Sequence, residues 1–68
     1  MPIIAVTSGK LEEEQKGKLI EGLTETAARI TGIPKASFHV TIQELPDNCF
    51  GIGGETLDVI KKRHRDSH

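Results

Sequence analysis

Residues 2–7 read Pro-Ile-Ile-Ala-Val-Thr, and this short run constrains the chain more than any other feature. As a strand it places Ile3 and Ala5 on one face and Ile4 and Val6 on the other. A strand that is apolar on both faces needs a layer packed against each. A chain of 68 residues, 35% of them hydrophobic, is one domain spanning residues 1–68 and cannot supply both layers itself. A chain this short buries only about 60% of the surface that its unfolded form exposes, so its stability needs a supplement. Cys49 is the only cysteine, which excludes an internal disulfide. No CxxC or HExxH spacing points to a zinc site. Oligomerisation is the remaining supplement, and an obligate oligomer is expected from the residues alone.

The rest of the chain supports a strand–helix–strand unit with an appendage. Ser8-Gly9 ends the first strand. From residue 11 to 31 the apolar spacing becomes three and four, with Leu19, Ile20, Leu23, Ala27 and Ile30 forming one stripe. Glu12, Glu13 and Glu14 suit the positive end of a helix dipole, Gly32 suits its C-terminal cap, and Pro34 prevents continuation. No Ser or Thr stands at an obvious N-cap, and Gly17 and Gly22 each cost about 1 kcal/mol relative to Ala in a helix interior. Residues 37–45 alternate strictly: Phe38, Val40 and Ile42 face one way, His39, Thr41 and Gln43 the other. Two strands joined by a helix of this length imply a right-handed parallel crossover. The apolar face of the second strand should meet the helix, leaving His39 on the uncovered side. Pro46-Asp47-Asn48 marks a turn, FGIGGE (residues 50–55) a tight glycine-rich hairpin, and residues 56–64 a short helix with Leu57, Ile60 and Lys61 on one side. The expected fold class is therefore α/β, a small βαβ subunit whose sheet is completed by oligomerisation.

Charge excludes several functions. Nine Lys plus Arg against ten Asp plus Glu leaves a formal net charge of −1, with no electrostatic footprint for nucleic acid. Two Phe and no Tyr or Trp provide no stacking platform for single strands. The basic run Lys61, Lys62, Arg63 and Arg65 is read as cations in the last turns of a helix. No apolar stretch approaches the roughly 18 residues needed to span a membrane. No charged-then-apolar leader precedes the first strand, so a cytoplasmic protein without membrane or nucleic-acid partners is expected.

Few constellations carry chemistry. FGIGGE lacks the Lys-Ser/Thr of a phosphate loop and does not fit GxGxxG. Cys49 with His39 is a conceivable nucleophile and base, though a lone cysteine beside a Phe is more often packed. His64 and His68 around Asp66 are a conceivable metal grip, though a frayed charged tail is the plainer reading. Ser8, Ser37 and Ser67 show no GxSxG and no triad. Pro2 is different. With the initiator methionine removed it presents a secondary amine, and an ordinary α-amino group titrates at about 7.7–8.0. Apolar surroundings lower that value and make the amine a usable general base. Taken alone, Pro2 is better explained by permitting methionine removal and starting an edge strand.

Pro2 does not stand alone. PIIAVTSGK, EEQK, FHVTIQEL and FGIGGE, in that order, make the chain similar to the 4-oxalocrotonate tautomerase family from Pro2 to about Glu55. The resemblance implies a βαβ subunit, two of which form a four-stranded sheet backed by two helices. It also implies a homohexamer built as a trimer of such dimers. It implies keto–enol tautomerisation: the amino-terminal proline, matching Pro2, moves a proton between carbons of an enol or unsaturated 2-oxo acid. No cofactor is needed, since the shift involves neither redox change nor hydrolysis. The family's aromatic pocket wall matches Phe50, with Ile52 close by. Its two substrate-binding arginines fall on Lys10, after a shortened strand–helix loop, and on His39.

Those two departures bear on the substrate. Arg offers a rigid fork to a carboxylate, whereas Lys offers a point charge. A neutral-pH histidine carries charge only in part. Dicarboxylate recognition is therefore expected to be weakened while proton transfer is kept. The alternatives are a related proline-dependent dehalogenase or hydratase of small unsaturated acids, and a non-catalytic oligomeric module that keeps the fold.

Overall fold

The computed structural model describes residues 1–66 of the chain. Strand β1 (Ile3–Ser8) is followed by helix α1 (Glu13–Thr31), a 3-10 turn (Lys35–Ser37) and strand β2 (His39–Glu44). A second 3-10 turn (Asp47–Cys49), a hairpin of β3 (Gly51–Ile52) and β4 (Glu55–Thr56), and helix α2 (Leu57–Asp66) complete the described chain. β1 and β2 pair in parallel, from Ile3 opposite His39 to Ser8 opposite Glu44. The expected βαβ crossover is thus present, with α1 packed on one side of the sheet.

Alternation decides which residues that side holds. Ile4, Val6 and Ser8 of β1 and Val40, Ile42 and Glu44 of β2 are half-buried, as are Leu19, Leu23 and Ala27 of α1. The intervening Ile3, Ala5, Thr7, His39, Thr41 and Gln43 stay exposed on the bare face. Ile3 is 67% exposed, and no described residue is fully buried. Ile20 and Ile30, expected on the packed stripe, are exposed as well. Ile20 stands about 100° around the helix from Leu19, at the stripe's margin. Ile30 lies in the last turn, where a helix about 28 Å long outruns strands about 20 Å long.

Two local details differ from expectation and one agrees, each for a reason of hydrogen bonding. α1 begins at Glu13 rather than at residue 11, and its N-cap is Glu12, whose N–H donates to Gln15 Oε1 at 3.0 Å. That capping-box bond satisfies the helix end without a Ser or Thr. Gly32 takes the left-handed conformation (φ 76°), and its N–H donates to the Ala28 carbonyl at 2.9 Å, as the sequence suggested. Ser37 and Phe38, expected at the start of the strand, instead belong to the 3-10 turn and its cap, because Ser37 N–H donates to the Pro34 carbonyl and Phe38 N–H to that of Lys35. β2 therefore begins at His39.

Beyond Leu45 the chain forms an arm that packs largely on itself. Gly53 and Gly54 have φ of 61° and 89°, the left-handed pair that a two-residue β3–β4 turn demands. Lys61 bridges to Asp47 at 3.1 Å, and Arg63 grips Glu55 with two bonds of 2.6 and 2.8 Å. Arg63 holds the Glu55 carboxyl below the ordinary range. Part of the basic run is thus committed to pinning α2 against the hairpin and the preceding turn. The arm makes the subunit long, 48 × 24 × 17 Å, with a radius of gyration of 16.2 Å. A compact chain of this length would have about 11 Å. No described helix is long and apolar enough to cross a membrane.

Candidate active site

Parallel pairing brings the starts of β1 and β2 to the same end of the sheet. Pro2 precedes β1 by one residue, and its carbonyl accepts the His39 N–H at 3.0 Å. The coil after α1 folds back beside them, so that Met1, Pro2, Ile33, Ala36, Ser37 and His39 line a cleft of about 350 Å³. Pro2 is half-buried and His39 exposed. While Met1 is attached, the Pro2 nitrogen is a tertiary amide with no proton affinity to offer. Met1 itself is 85% exposed and forms part of the cleft wall. Its removal would both free the amine and widen the opening.

The other two expected site residues stand elsewhere in the subunit. Lys10 follows β1 at the opposite end of the sheet, about 20 Å along the strand from Pro2. It lies near Glu44, the last residue of β2 and the partner of Ser8 in the register. Phe50 lies farther on, past the Asp47–Cys49 turn, where its carbonyl accepts the Leu57 N–H at 3.0 Å and ties it to the start of α2. One subunit therefore joins Pro2 with His39 and leaves Lys10 and Phe50 at the far end. The same separation parts Cys49 from His39, so no nucleophile–base pair forms between them within the subunit.

The far end is an ionic cluster. Lys16 reaches Glu44 at 2.7 Å and Glu13 at 2.8 Å, and Glu44 Oε2 accepts the Leu11 N–H at 3.2 Å. The Lys16 ammonium and the Leu11 N–H hold the Glu44 carboxyl below its ordinary range. Glu13 and then Glu44 raise Lys16 well above the ordinary lysine value.

Sequence reasoning passed over Ile33, Ala36 and Ser37. The available signal was the sharp Gly32-Ile33-Pro34 stop, which turns the chain back toward the start of β1. Among the described residues no group of three His, Cys, Asp or Glu side chains is placed to hold a metal. The His64–His68 pairing falls partly on residue 68, outside the described residues.

Residues 2–60 match the family described as Tautomerase enzyme. The chain is 40% identical to a 2-hydroxymuconate tautomerase of Pseudomonas putida, with 91% of this chain and all of the relative covered. It superposes on the crystal structure of DmpI from Helicobacter pylori with a TM-score of 0.79 at 32% identity, covering 85% of this chain and 98% of that one. The heterohexamer 4-oxalocrotonate tautomerase from Chloroflexus aurantiacus J-10-fl gives a TM-score of 0.76 at 26% identity, covering 85% and 94%.

Proposed function

The chain belongs to the tautomerase family, and on that footing we propose that it is a cytoplasmic, cofactor-independent keto–enol tautomerase whose general base is Pro2, freed by removal of Met1. The observation that carries this reading is the position of Pro2, half-buried in the wall of a cleft it shares with His39. In this mechanism the ring amine takes a proton from the carbon beside the carbonyl of a small 2-oxo acid, leaving an enolate. The protonated proline then returns that proton at a carbon farther along the unsaturated chain, or the reverse from the enol. Negative charge develops on the carbonyl oxygen, and a donor aimed there stabilises it. His39, which lines the same cleft as Pro2, is the donor assigned to that role. Lys10 attracts the substrate carboxylate as a point charge, and Phe50 supplies the apolar wall that disfavours the charged amine.

The proposed site is shared between copies. Lys10 and Phe50 sit at the end of the strands opposite Pro2, so they reach it only from a neighbouring subunit. A partner strand running antiparallel alongside would bring its far end to Pro2. The bare face carrying Ile3 and Ala5, the lack of any fully buried described residue and the extended arm all favour such an assembly. We take it to be a homohexamer formed as a trimer of dimers. The test measures native mass, N-terminal processing and turnover on one sample. Tautomerisation of a simple enol acid by the processed oligomer is expected. Water addition to a haloacrylic acid in its place would mark the same base in a dehalogenase. Neither activity in fully processed oligomer would leave a binding module.

A further inference from the structure

The span between β1 and the cap of α1 is short and fastened on both sides by the end of β2. The Ser8 carbonyl accepts the Leu45 N–H at 2.9 Å, and Leu11 N–H donates to Glu44 Oε2 at 3.2 Å. Only Gly9 and Lys10 lie between these anchors. The second oxygen of Glu44 is occupied by Lys16 at 2.7 Å, and Lys16 is held in turn by Glu13. Lys10 makes no ion pair among the described residues, although Glu44 is close enough for the two charges to act on one another.

We propose that Glu44 is a positioning residue for Lys10. It fixes the loop through the Leu11 amide and, with its charge already met by Lys16, leaves the Lys10 ammonium available to a substrate carboxylate. The physical basis is competition. A carboxylate without Lys16 would draw Lys10 into its own ion pair and repel an incoming anion. A loop without the Leu11 anchor would spread the Lys10 side chain over more positions, and binding would then cost the entropy of ordering it. This inference rests on the proposal that Lys10 meets the substrate.

The test is a mutant cycle on processed, assembled protein, with a monocarboxylate enol acid as substrate. Glu44→Ala should raise KM about three- to tenfold with kcat nearly unchanged, the range for losing part of one charged contact. In a Lys10→Ala background the same change should add nothing further. Lys16→Gln should raise KM in the same Lys10-dependent way, and it carries the comparison if Glu44→Ala does not assemble. Equal effects with and without Lys10 would reduce Glu44 to a general structural role and overturn the inference, as would unchanged KM in both variants. If Lys10→Ala leaves KM unchanged while Pro2→Ala removes activity, the positioning role falls and the proposed base survives. Full activity in Pro2→Ala overturns the proposed function itself.

Discussion

The two ends of the β1–β2 sheet are made from the same two strands, yet they are finished differently. At the end where the strands begin, one backbone bond joins His39 to Pro2, and around it lie a cleft, an exposed imidazole and exposed apolar side chains. At the end where they finish, the Leu11 and Leu45 amides, Lys16, Glu13 and Glu44 form a connected set of bonds that closes the loop. The first end is open and pairs a strand-start proline with a histidine. The second is closed and presents one cation outward. A proton-transfer site of the proposed kind needs both characters, an uncluttered base and a fixed anchor. In the proposed site the fold makes them separately, and assembly brings them together.

The largest expected effect breaks the open end. Pro2→Ala replaces a rigid secondary amine with a primary one and should lower turnover about 10²–10⁴-fold, the range for a positioned acid–base group. Protein retaining Met1 should show no turnover at all, which mass spectrometry and an activity assay on one sample will decide. The ascending limb of the pH–rate profile should be unmoved in His39→Gln and displaced in Pro2→Ala, whose primary amine titrates differently. Loss of the limb in His39→Gln would transfer the base to the histidine.

The next tests whether the ends come from different subunits. Ile3→Glu sets a carboxylate on the bare face, where burial against a partner would leave it unpaired at a cost of several kcal/mol. Light scattering should report smaller particles and turnover should fall with them. A monomer that stays folded and active at micromolar concentration would locate the whole site within one chain.

A smaller effect concerns the anchor. Lys10→Ala should raise KM for acids and weaken the dependence of KM on ionic strength, since one long-range attraction is lost. A strong dicarboxylate preference unaltered by this change would place the anion site elsewhere.

The smallest effect is on stability. Glu44 and Glu55 have carboxyls held below the ordinary range by Lys16 with the Leu11 amide and by Arg63. Such groups stabilise the fold above their unfolded pKa, and the contribution is lost as pH falls through the lower folded value. Thermal melts should therefore weaken as pH drops below the ordinary carboxylate range, more gently in high salt and in Glu44→Gln. Both pairs are solvent-screened, so the change in Tm should be modest.

Much of this fold was legible because its signals are local. Apolar pairing in PIIAVT, alternation through residues 38–43, the glycine cap at Gly32 and the Gly53-Gly54 turn each follow from backbone geometry at the residue itself. The cap at Glu12 was harder to see, because a glutamate seldom fills that position and the bond runs from its own amide to Gln15. Ser37 and Phe38 were misread as strand because the turn that holds them depends on how the chain leaves α1. For the candidate site the sequence nominated residues but not their places. Pro2, Lys10, His39 and Phe50 could be named, but their division between opposite ends follows only from the parallel register and the arm.

The lack of a fully buried described residue also bears on what dilution does to this protein. If the interior is completed only between chains, folding and association are one equilibrium, and protomer concentration enters its stability directly. The melting temperature should rise with protein concentration, and refolding should slow on dilution as an encounter between chains does. In a cell the amount synthesised would then set the fraction that is folded as well as the number of sites.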